Sequence, residues 1–361
     1  MKRIDLIVGA RPNFVKVSRL IPLLKKDFIV RLIHTGQHYD YKMNKLFFKE
    51  LSIPEPDYYL DVKGKTNSEQ TALIIKRYSE ILKIEKPDLT IVVGDVNSTM
   101  AASVAAKQNF VSLSHIEAGL RSFDNTMPEE LNRIITDRIS DLLFVPSYDA
   151  LENLGKEGIS QNKIYFVGNI MIDTLVAFMP KIEQSNILQK LRIEKKNFAL
   201  LTMHRPSNVD NKDSLLSMID ILNQVANRIQ IVFPIHPRTK TMIQKFNLQN
   251  RLSENILEVA PLGYFDLIKL EKYAKFVITD SGGIQEETTY LNVPCLTIRK
   301  STERPITVFK GSNILVNHNK EKILSSVDNI LSGKAKKSVI PDLWDGKTSE
   351  RIVKILKEKL P

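Results

Sequence analysis

The sequence predicts an α/β protein made of two doubly wound, Rossmann-like domains, and three observations support this prediction. Short apolar runs rich in Val and Ile alternate with longer amphipathic segments along all 361 residues, a pattern typical of parallel strands joined by helical crossovers. A chain of this length is sufficient for two ordinary domains, each with its own core. The pattern repeats in the second half without a low-complexity linker, so we expect the halves to face each other across a cleft.

The first half, residues 1–169, is predicted to form one of these domains. Its expected strands are the apolar runs RIDLIVGA, FIVRLIHTG, DLTIVVGD, VSLSHIEAG, DLLFVPS and KIYFVGN. Segments with the apolar spacing of helices lie between them, among them NFVKVSRLIPLLKK, SEQTALIIKRYSEIL and NSTMAASVAAK. Strand and helix therefore alternate, as a parallel sheet requires.

The second half, residues 170–345, repeats the arrangement. The expected strands are FALLTMH, IQIVFPIHP, ILEVAPL, KFVITDSGG, PCLTIRK and SNILVN. The segments DSLLSMIDILNQVANRI and YFDLIKLEKYAK have helical spacing. A last helix at about 346–361 follows IPDLWDGK, and we expect it to return to the first domain.

Composition restricts the kinds of partner, metal site and cellular location that the protein can have. The formal charge of +11 favours an anionic partner such as a phosphorylated metabolite, and the scattered lysines argue against a nucleic-acid-binding arm. Cys295 is the single cysteine, which excludes an intrachain disulfide and a multi-cysteine metal site. The apolar run before Gly9 is too short for a signal peptide or a membrane span. We therefore expect a cytoplasmic protein without membrane insertion, and no metal or cofactor.

Two loops have the form of phosphate sites. GARPNFVK begins at Gly9 and joins a strand to a helix, so that Arg11 and Lys16 are placed to meet phosphate beside free helical N–H groups. It lacks the spacing of a P-loop and of the dinucleotide fingerprint, and an ordinary strand-to-helix turn is the alternative. DSGGIQEE offers Ser281 and two glycines at a helix start, with plain N-capping as the alternative.

Two histidines follow strands of the second half. His204 stands in TMHRPSN and His236 in PIHPRTK, each followed by proline or arginine. Histidine with arginine at such a strand end favours phosphate or sugar contacts. Metal binding is disfavoured, because no HExxH motif or cysteine pair is present.

The carboxylates of the first half complete the pattern. Asp95 in GDVNST and Glu117 in HIEAG each end a predicted strand, and Glu129 follows Pro128 at a helix start. A helix start explains one glutamate through the helix dipole, whereas a carboxylate at the end of a buried strand needs another reason. Converging carboxylates can divide the roles of general acid and general base. The residues alone thus indicate a two-domain enzyme acting on an anionic nucleotide derivative.

Taken together, the motifs resemble those of the non-hydrolysing UDP-N-acetylglucosamine 2-epimerases. The loops GARPNFVK, TGQHYD, GDVNST, HIEAGLRS, MPEELNR, HRPSN, IHP, DSGGIQEE and TERP occur in the order of that family. The resemblance implies a GT-B-like pair of domains with a UDP-sugar between them and no nicotinamide. It implies loss of the C2 proton with anti elimination of UDP, a 2-acetamidoglucal intermediate, and re-addition of UDP.

The resemblance also assigns roles by motif. The implied catalytic residues are Asp95, Glu117, Glu129 and His204, with His204 assisting the departing diphosphate. Which carboxylate acts as base and which as acid stays open. The implied substrate-binding residues are Arg11, His236, Ser281, Gly282 and Gly283 for the diphosphate, Glu287 for the ribose, Phe265 for the uracil, and Lys16, Arg133 and Arg304 as further contacts. The family tends to be dimeric, so a homodimer is expected.

Several features depart from the family pattern. Asn13 stands where a glutamate is usual in the first loop, and Gln37 and Gln70 fit only part of the set that binds a second substrate molecule in regulated members. Activation by substrate is therefore doubtful. TGQHYDY and RSFDNTMPEE also resemble relatives acting on UDP-diacetamido-uronic acids and 6-deoxy amino sugars. A glycosyltransferase of the same architecture is a more distant alternative, since transfer does not require the acidic pair.

Overall fold

The computed structural model of the chain describes residues 1–36, 48–64 and 66–360. Its strands are β1 (Arg3–Val8), β2 (Ile29–His34), β3 (Tyr58–Tyr59), β4 (Leu89–Val93), β5 (Ser112–Ile116), β6 (Leu142–Val145), β7 (Ile164–Phe166), β8 (Phe198–Thr202), β9 (Gln230–Pro234), β10 (Ile256–Val259), β11 (Phe276–Thr279), β12 (Cys295–Thr297) and β13 (Asn313–Leu315). Every predicted strand is present, and the short β3 was not predicted. The α/β fold class is confirmed.

The helices occupy the connections between these strands. They are α1 (Arg11–Ser18), α2 (Leu20–Leu24), α3 (Asn67–Ile84), α4 (Asn97–Gln108), α5 (Pro128–Ile139), α6 (Tyr148–Lys156), α7 (Ile170–Glu183), α8 (Ile187–Leu191), α9 (Pro206–Val209), α10 (Lys212–Ala226), α11 (Pro237–Lys245), α12 (Tyr264–Tyr273), α13 (Gly282–Tyr290), α14 (Pro305–Phe309), α15 (Lys320–Leu331) and α16 (Thr348–Lys359). The segment predicted as one helix over NFVKVSRLIPLLKK divides at Arg19. Pro22 cannot donate the N–H that a continuous helix needs there, so it lies in the first turn of a new helix.

The strands form two parallel sheets with the same internal order. The seven-stranded sheet runs β3-β2-β1-β4-β5-β6-β7 and the six-stranded sheet β10-β9-β8-β11-β12-β13. In each sheet the order reverses between two central strands, β1 and β4 in the first and β8 and β11 in the second. Ligands of doubly wound folds bind outside the carboxyl ends of the strands at this reversal. The topology thus marks the loops after these four strands.

The chain contacts divide it into two compact units. Unit 1 comprises Met1–Ala177 and Asp342–Pro361, and unit 2 comprises Phe178–Pro341. The predicted domain boundary at residue 169 lies just before α7. The boundary between the two units falls inside that helix, between Ala177 and Phe178. Within unit 1 the C-terminal segment is held by Asp173, whose carboxylate accepts the N–H groups of Thr348 and Ser349 at 3.0 and 2.5 Å.

Each sheet is covered by apolar side chains on both faces. Along β8, for example, Phe198 and Leu200 belong to one core cluster, while Ala199 and Leu201 belong to the cluster on the opposite face. All four side chains are fully buried, as expected for a central parallel strand sandwiched between helices. The sheets therefore form rigid platforms for the loops at their carboxyl ends.

Candidate active site

The loop after β1 is fixed from within by Asn13. This buried side chain accepts the N–H groups of Gly9 and Ala10 at 3.1 and 3.0 Å and donates to the carbonyl of Val93 at 2.9 Å. An amide can accept and donate at once, whereas an ionised glutamate can only accept. The residue that departs from the family pattern thus joins the loops after β1 and β4. Arg11 begins α1 beside this loop and is partly exposed.

Lys16 and Glu117 form a buried ion pair at the carboxyl edge of the first sheet. The Lys16 ammonium contacts the Glu117 Oε2, and both side chains are almost fully buried. Glu117 has a φ of 70°, a left-handed conformation that is strained for a residue with a side chain. Its other oxygen, Oε1, is buried and has no hydrogen-bond partner among the described residues. One carboxylate oxygen is therefore held and the other is available.

Gly94 leaves the space that this pair occupies. Its φ is 72°, and a Cβ added there would lie 3.0 Å from the Lys16 ammonium and 3.3 Å from Glu117 Oε2. A side chain would therefore be strained by the backbone and would also displace the ion pair. Gly94 immediately precedes Asp95, so the turn after β4 brings both predicted carboxylates to one place.

Asp95 is paired with a buried arginine. The Arg133 guanidinium contacts the Asp95 carboxylate and lies 2.6 Å from Glu130 Oε2. Glu130 also accepts the backbone N–H groups of Ser122 and Phe123 at 2.9 Å each. Burial opposes ionisation of Glu130, yet these N–H groups and Arg133 together lower its pKa. Glu130 therefore anchors α5 to the loop before it, a role that the sequence did not reveal.

Glu129, the neighbouring glutamate, is placed differently. It lies half-buried in the first turn of α5 and makes no side-chain hydrogen bond to the described part of the chain. Consecutive helical residues point about 100° apart, since an α-helix has 3.6 residues per turn. Glu130 thus faces Arg133 while Glu129 stays outside that network.

A second buried network of hydrogen bonds fixes the backbone on either side of Glu117. His115 lies between Asp137 and the loop after β4, with Nδ1 2.6 Å from an Asp137 oxygen and Nε2 2.8 Å from the carbonyl oxygen of Gly94. Arg121 lies 2.7 Å from the other Asp137 oxygen, which also accepts the N–H of Gly119 at 3.0 Å. Burial raises the pKa of Asp137, but His115 and Arg121 outweigh it and hold the pKa below its ordinary value. The strained turn at Glu117 is thereby fixed on both sides.

Gln70 is connected to the same loops. Its Oε1 accepts from Asn97 at 3.3 Å, and Asn132 bridges Asn97 and the carbonyl of Asp95 at 3.3 and 2.9 Å. The other predicted regulatory residue, Gln37, lies outside the described residues.

In unit 2, His204 is held by Asp280. The His204 Nδ1 lies 2.9 Å from Asp280 Oδ1. Asp280 Oδ2 accepts the backbone N–H groups of His204 and Arg205 and the side-chain amide of Asn208, at 2.8 to 2.9 Å. Burial alone would raise the pKa of Asp280, but the His204 ring and these donors lower it to about 2. A buried, ionised carboxylate thus orients the ring of His204.

His236 lies beside His204, with ring centroids 5.2 Å apart. It caps α11, and its Nδ1 accepts the N–H of Arg238 at 3.2 Å. A neutral imidazole with Nδ1 as acceptor carries its proton on Nε2 and can donate it to an anion. The two predicted histidines are therefore brought together.

The start of α13 provides a set of anion donors. Ser281 precedes the helix without using its side chain as a cap, so the first N–H groups of the helix are open to a ligand. A Cβ at Gly282 would lie 2.6 Å from an Arg304 nitrogen and 2.8 Å from Glu303 Oε1. Arg304 itself is buried between Glu303 and Glu286, 2.9 Å from the latter. Gly283, the third predicted residue, is partly exposed in the same turn.

Glu287 lies one turn further along α13, in a buried acidic environment. Burial and the nearby Glu286 raise the pKa of Glu287 to about 8, while a hydrogen bond from Tyr264 opposes the shift. Glu271 on α12 is fully buried, and neither of its carboxylate oxygens has a hydrogen-bond partner among the described residues. Burial and Glu287 raise its pKa well above the ordinary value. Phe265 follows Tyr264 and packs against Phe178, with ring centroids 5.5 Å apart.

The described residues hold no group of three or more His, Cys, Asp or Glu suited to a metal ion. In the same part of the chain, no helix has the length and apolar character needed to cross a membrane. The predicted site residues form one cluster in each unit. The unit 1 cluster combines Lys16, Gly94, Asp95, Glu117 and Arg133, and the unit 2 cluster combines His204, His236, Asp280, the Ser281–Gly283 turn, Glu287 and Arg304. The first can exchange a proton, and the second can hold a diphosphate.

Known proteins match almost the whole chain. The family model described as UDP-N-acetylglucosamine 2-epimerase matches residues 23–357. The chain is 42% identical over 359 residues to a UDP-N-acetylglucosamine 2-epimerase homolog of Methanococcus maripaludis, covering 98% of this chain and 99% of the relative. It is 40% identical to the UDP-GlcNAc 2-epimerase of Methanocaldococcus jannaschii crystallised with UDP-GlcNAc and UDP, with a TM-score of 0.91 and 99% of each chain covered. A UDP-2,3-diacetamido-2,3-dideoxy-D-glucuronate 2-epimerase of Pseudomonas aeruginosa is 38% identical over 325 residues, which are 89% of this chain and 90% of that protein.

Proposed function

The chain belongs to the UDP-N-acetylglucosamine 2-epimerase family of isomerases, and from this premise we propose that it interconverts UDP-GlcNAc and UDP-ManNAc. The observation that carries the proposal is the buried, strained Glu117, with one oxygen on Lys16 and the other without a partner in the described chain. A carboxylate fixed in this way is suited to proton transfer at carbon. Epimerisation at C2 of the sugar requires such a group.

The reaction divides into elimination and re-addition. A carboxylate removes the C2 proton, the C2 electrons form the C1–C2 double bond, and the C1–O bond breaks to release UDP. The intermediate is 2-acetamidoglucal. A proton is then returned to the opposite face of C2, and UDP attacks C1 again. We assign proton transfer to Asp95 and Glu117, with Glu129 as a further acid or base.

The assignment of Asp95 and Glu117 is supported by their cations. Lys16 contacts Glu117 and Arg133 contacts Asp95. A cation beside a carboxylate balances its charge and fixes its position, which suits the carboxylate to exchange a proton with a substrate. Lys16 and Arg133 are also proposed as further contacts to the substrate.

We assign the retention of UDP to unit 2 together with Arg11 of unit 1. His204 and His236 would face the diphosphate with Arg11, the Ser281 hydroxyl and the N–H groups of Gly282 and Gly283, and Arg304 would be a further contact. Glu287 would accept the ribose hydroxyls, and Phe265 would contact the uracil. UDP must stay bound after the C1–O bond breaks, and a helix N-terminus with histidine donors is suited to a departing anion.

Two measurements test the proposed reaction. The chain is incubated with UDP-GlcNAc in deuterated water, and deuterium at C2 together with the ManNAc epimer is expected. Absence of both would contradict the proposed substrate. A panel that includes UDP-2,3-diacetamido-2,3-dideoxy-D-glucuronate is scored for turnover, since the relative of 38% identity bears that name. Higher kcat/KM on the uronate would favour the second substrate.

A homodimer is a further part of the proposal. Helix α5 exposes Leu131 and Ile134, and Phe123 in the preceding loop is 75% exposed. Apolar side chains grouped in this way favour burial against a second copy. Light scattering during size-exclusion chromatography is expected to give twice the chain mass for the wild type. The same measurement on the Leu131→Glu variant is expected to give the mass of one chain. We also propose a cytoplasmic location, in keeping with the single, buried, unpaired Cys295.

A further inference from the structure

His318 lies in the loop between β13 and α15, outside every motif used so far. It is half-buried, and its Nε2 lies 2.8 Å from the side-chain oxygen of Asn208. Asn208 is 2% exposed. Its amide nitrogen donates to Asp280 Oδ2 at 2.9 Å and to the carbonyl oxygen of Ile298 at 3.3 Å. A loop histidine is therefore connected to the carboxylate that holds His204.

The direction of each hydrogen bond follows from the groups involved. An ionised carboxylate and a carbonyl can only accept, so the amide nitrogen of Asn208 must face Asp280 and Ile298. The Asn208 oxygen then faces His318, whose Nε2 must donate. Burial, the largest influence, lowers the pKa of His318, although Asp280 acts in the opposite sense. The neutral ring with its proton on Nε2 satisfies this arrangement.

The chain of contacts ends at the candidate catalytic histidine. Asp280 Oδ1 lies 2.9 Å from Nδ1 of His204. With Nδ1 directed at Asp280, the Nε2 of His204 is left to face a ligand. Four side chains thus form one ordered series of contacts, His318, Asn208, Asp280 and His204.

We propose that His318 is a positioning residue for the reaction, because its donation to Asn208 fixes Asp280 and thereby the ring of His204. The inference rests on the proposed function, in which His204 assists departure of the diphosphate. It predicts an effect on the bond-breaking step, since UDP itself is held mainly by the turn at Ser281–Gly283 and by Glu287.

Kinetics of matched variants test the proposal. His318→Leu removes the donor, and we expect kcat to fall about tenfold with KM within about twofold of the wild type, as for a lost hydrogen bond that matters in the transition state. His318→Gln keeps an N–H donor and is expected to recover most of the lost kcat. Lys320→Gln, in the same surface depression as His318, is the control and is expected to leave kcat unchanged.

A double-mutant cycle tests the connection through Asn208. In an Asn208→Ala background, His318→Leu is expected to cause no further loss of kcat, because the link is already broken. Equal losses in both backgrounds would overturn the proposal. So would a His318→Leu variant with wild-type kcat, or one that changes only KM and thermal stability.

A spectroscopic measurement separates this inference from the proposed function. With ¹⁵N-labelled histidine, the ring signals of His204 are identified by their loss in His204→Gln. We expect them to shift in His318→Leu, to return in His318→Gln and to stay in place in Lys320→Gln. Unchanged His204 signals in His318→Leu would contradict the positioning role. A wild-type chain that turns over no UDP-2-acetamido sugar contradicts the proposed function, whereas these signals still decide whether His318 positions His204.

Discussion

The two units share a strand order but differ in how the carboxylates at the reversal of that order are held. In unit 1 the carboxylates at the reversal of strand order are paired with cations, Glu117 with Lys16 and Asp95 with Arg133. In unit 2 the ionised Asp280 is satisfied mainly by neutral N–H donors. The buried Glu271 of unit 2 has no hydrogen-bond partner in the described chain, and burial raises its pKa well above the ordinary value.

This difference shows that the strand order determines where a ligand site lies, whereas the side chains determine what the site can do. The same strand order places a ligand site at the same edge of each sheet. Cations that contact the carboxylates balance their charge and fix their positions, which suits unit 1 to exchange a proton with a substrate. A helix N-terminus with ordered histidines suits unit 2 to hold an anion. Variants in unit 1 are therefore expected to lower kcat. Variants in unit 2 outside the series that ends at His204 are expected to weaken nucleotide binding or change stability.

The largest effect is expected for Glu117→Gln. Glutamine preserves the shape but cannot accept the C2 proton, so kcat and deuterium incorporation at C2 are expected to fall about a thousandfold. The Kd for UDP, measured by calorimetry, is expected to stay within about twofold, because Glu117 is not among the groups assigned to UDP. Glu152→Gln, an exposed carboxylate on α6, is the matched control with wild-type exchange. Full exchange in Glu117→Gln would show that another group acts as the base.

A smaller loss of kcat is expected for Gly94→Ala. The new Cβ meets Lys16 and Glu117 at 3.0 and 3.3 Å, and displacing the reacting carboxylate by a fraction of an ångström is expected to lower kcat about 30-fold. Gly158→Ala is the control, since Gly158 has a φ of 73° with nothing within 4 Å of an added Cβ. Both variants should lose about 1–2 kcal/mol of stability from the left-handed backbone, measured by denaturant unfolding. Equal kcat in the two variants would contradict the importance of the Lys16–Glu117 pair.

The positions of polar residues at strand ends could be predicted from the sequence. The hydrogen-bond networks that hold these residues could not. Asp95, Glu117 and His204 follow apolar runs, so their position at a sheet edge could be predicted from the pattern alone. The difference between Glu129 and Glu130 depends on how α5 is rotated about its own axis, which turns Glu130 toward the backbone of Ser122 and Phe123. The sequence alone does not give this rotation. The roles assigned to the individual site residues therefore stay predictions.

The environments of two other residues also could not be predicted from the sequence. Glu271 stands in YFDLIKLEKYAK among lysines and resembles a solvated helix residue, yet packing of α12 buries it completely. His318 stands in a polar loop, and its link to Asn208 arises only because β8, which precedes Asn208, and β13 belong to one sheet. Contacts between residues distant in sequence decide such roles, and a single sequence does not contain them.

In unit 2, Gly282→Ala is expected to act on binding. The added Cβ lies 2.6 Å from Arg304 and 2.8 Å from Glu303, so the turn that offers N–H groups to the diphosphate must shift. We expect the Kd for UDP to rise about tenfold, equivalent to the loss of about one good hydrogen bond. Gly155→Ala in α6 is the control, because its Cβ would meet only Gln161 Nε2, at 3.7 Å. Unchanged UDP affinity in Gly282→Ala would remove this turn from the binding site.

The smallest effect is expected in the pH dependence of stability, from Glu271→Gln. Burial holds the pKa of Glu271 well above its ordinary value, and that of Glu287 at about 8. A carboxyl whose pKa is higher in the folded than in the unfolded state stabilises the fold at low pH. That contribution is lost as the pH rises above the unfolded value of about 4.3 toward the folded value. The wild type should therefore lose stability between pH 5 and pH 8.

Glu271→Gln removes one titrating group of this pair and leaves a neutral side chain of similar shape. We expect the variant to lose less free energy of unfolding than the wild type between pH 6 and pH 7, by about 1 kcal/mol. Urea unfolding at each pH measures the difference, and Glu254→Gln at an exposed position should follow the wild-type curve. Parallel curves for Glu271→Gln and the wild type would mean that Glu271 is ionised and paired in the folded protein. In that case Glu271 would resemble Glu303, which is paired with Arg299 and Arg304, and the contrast between the units would be confined to the loops at the reversal of strand order.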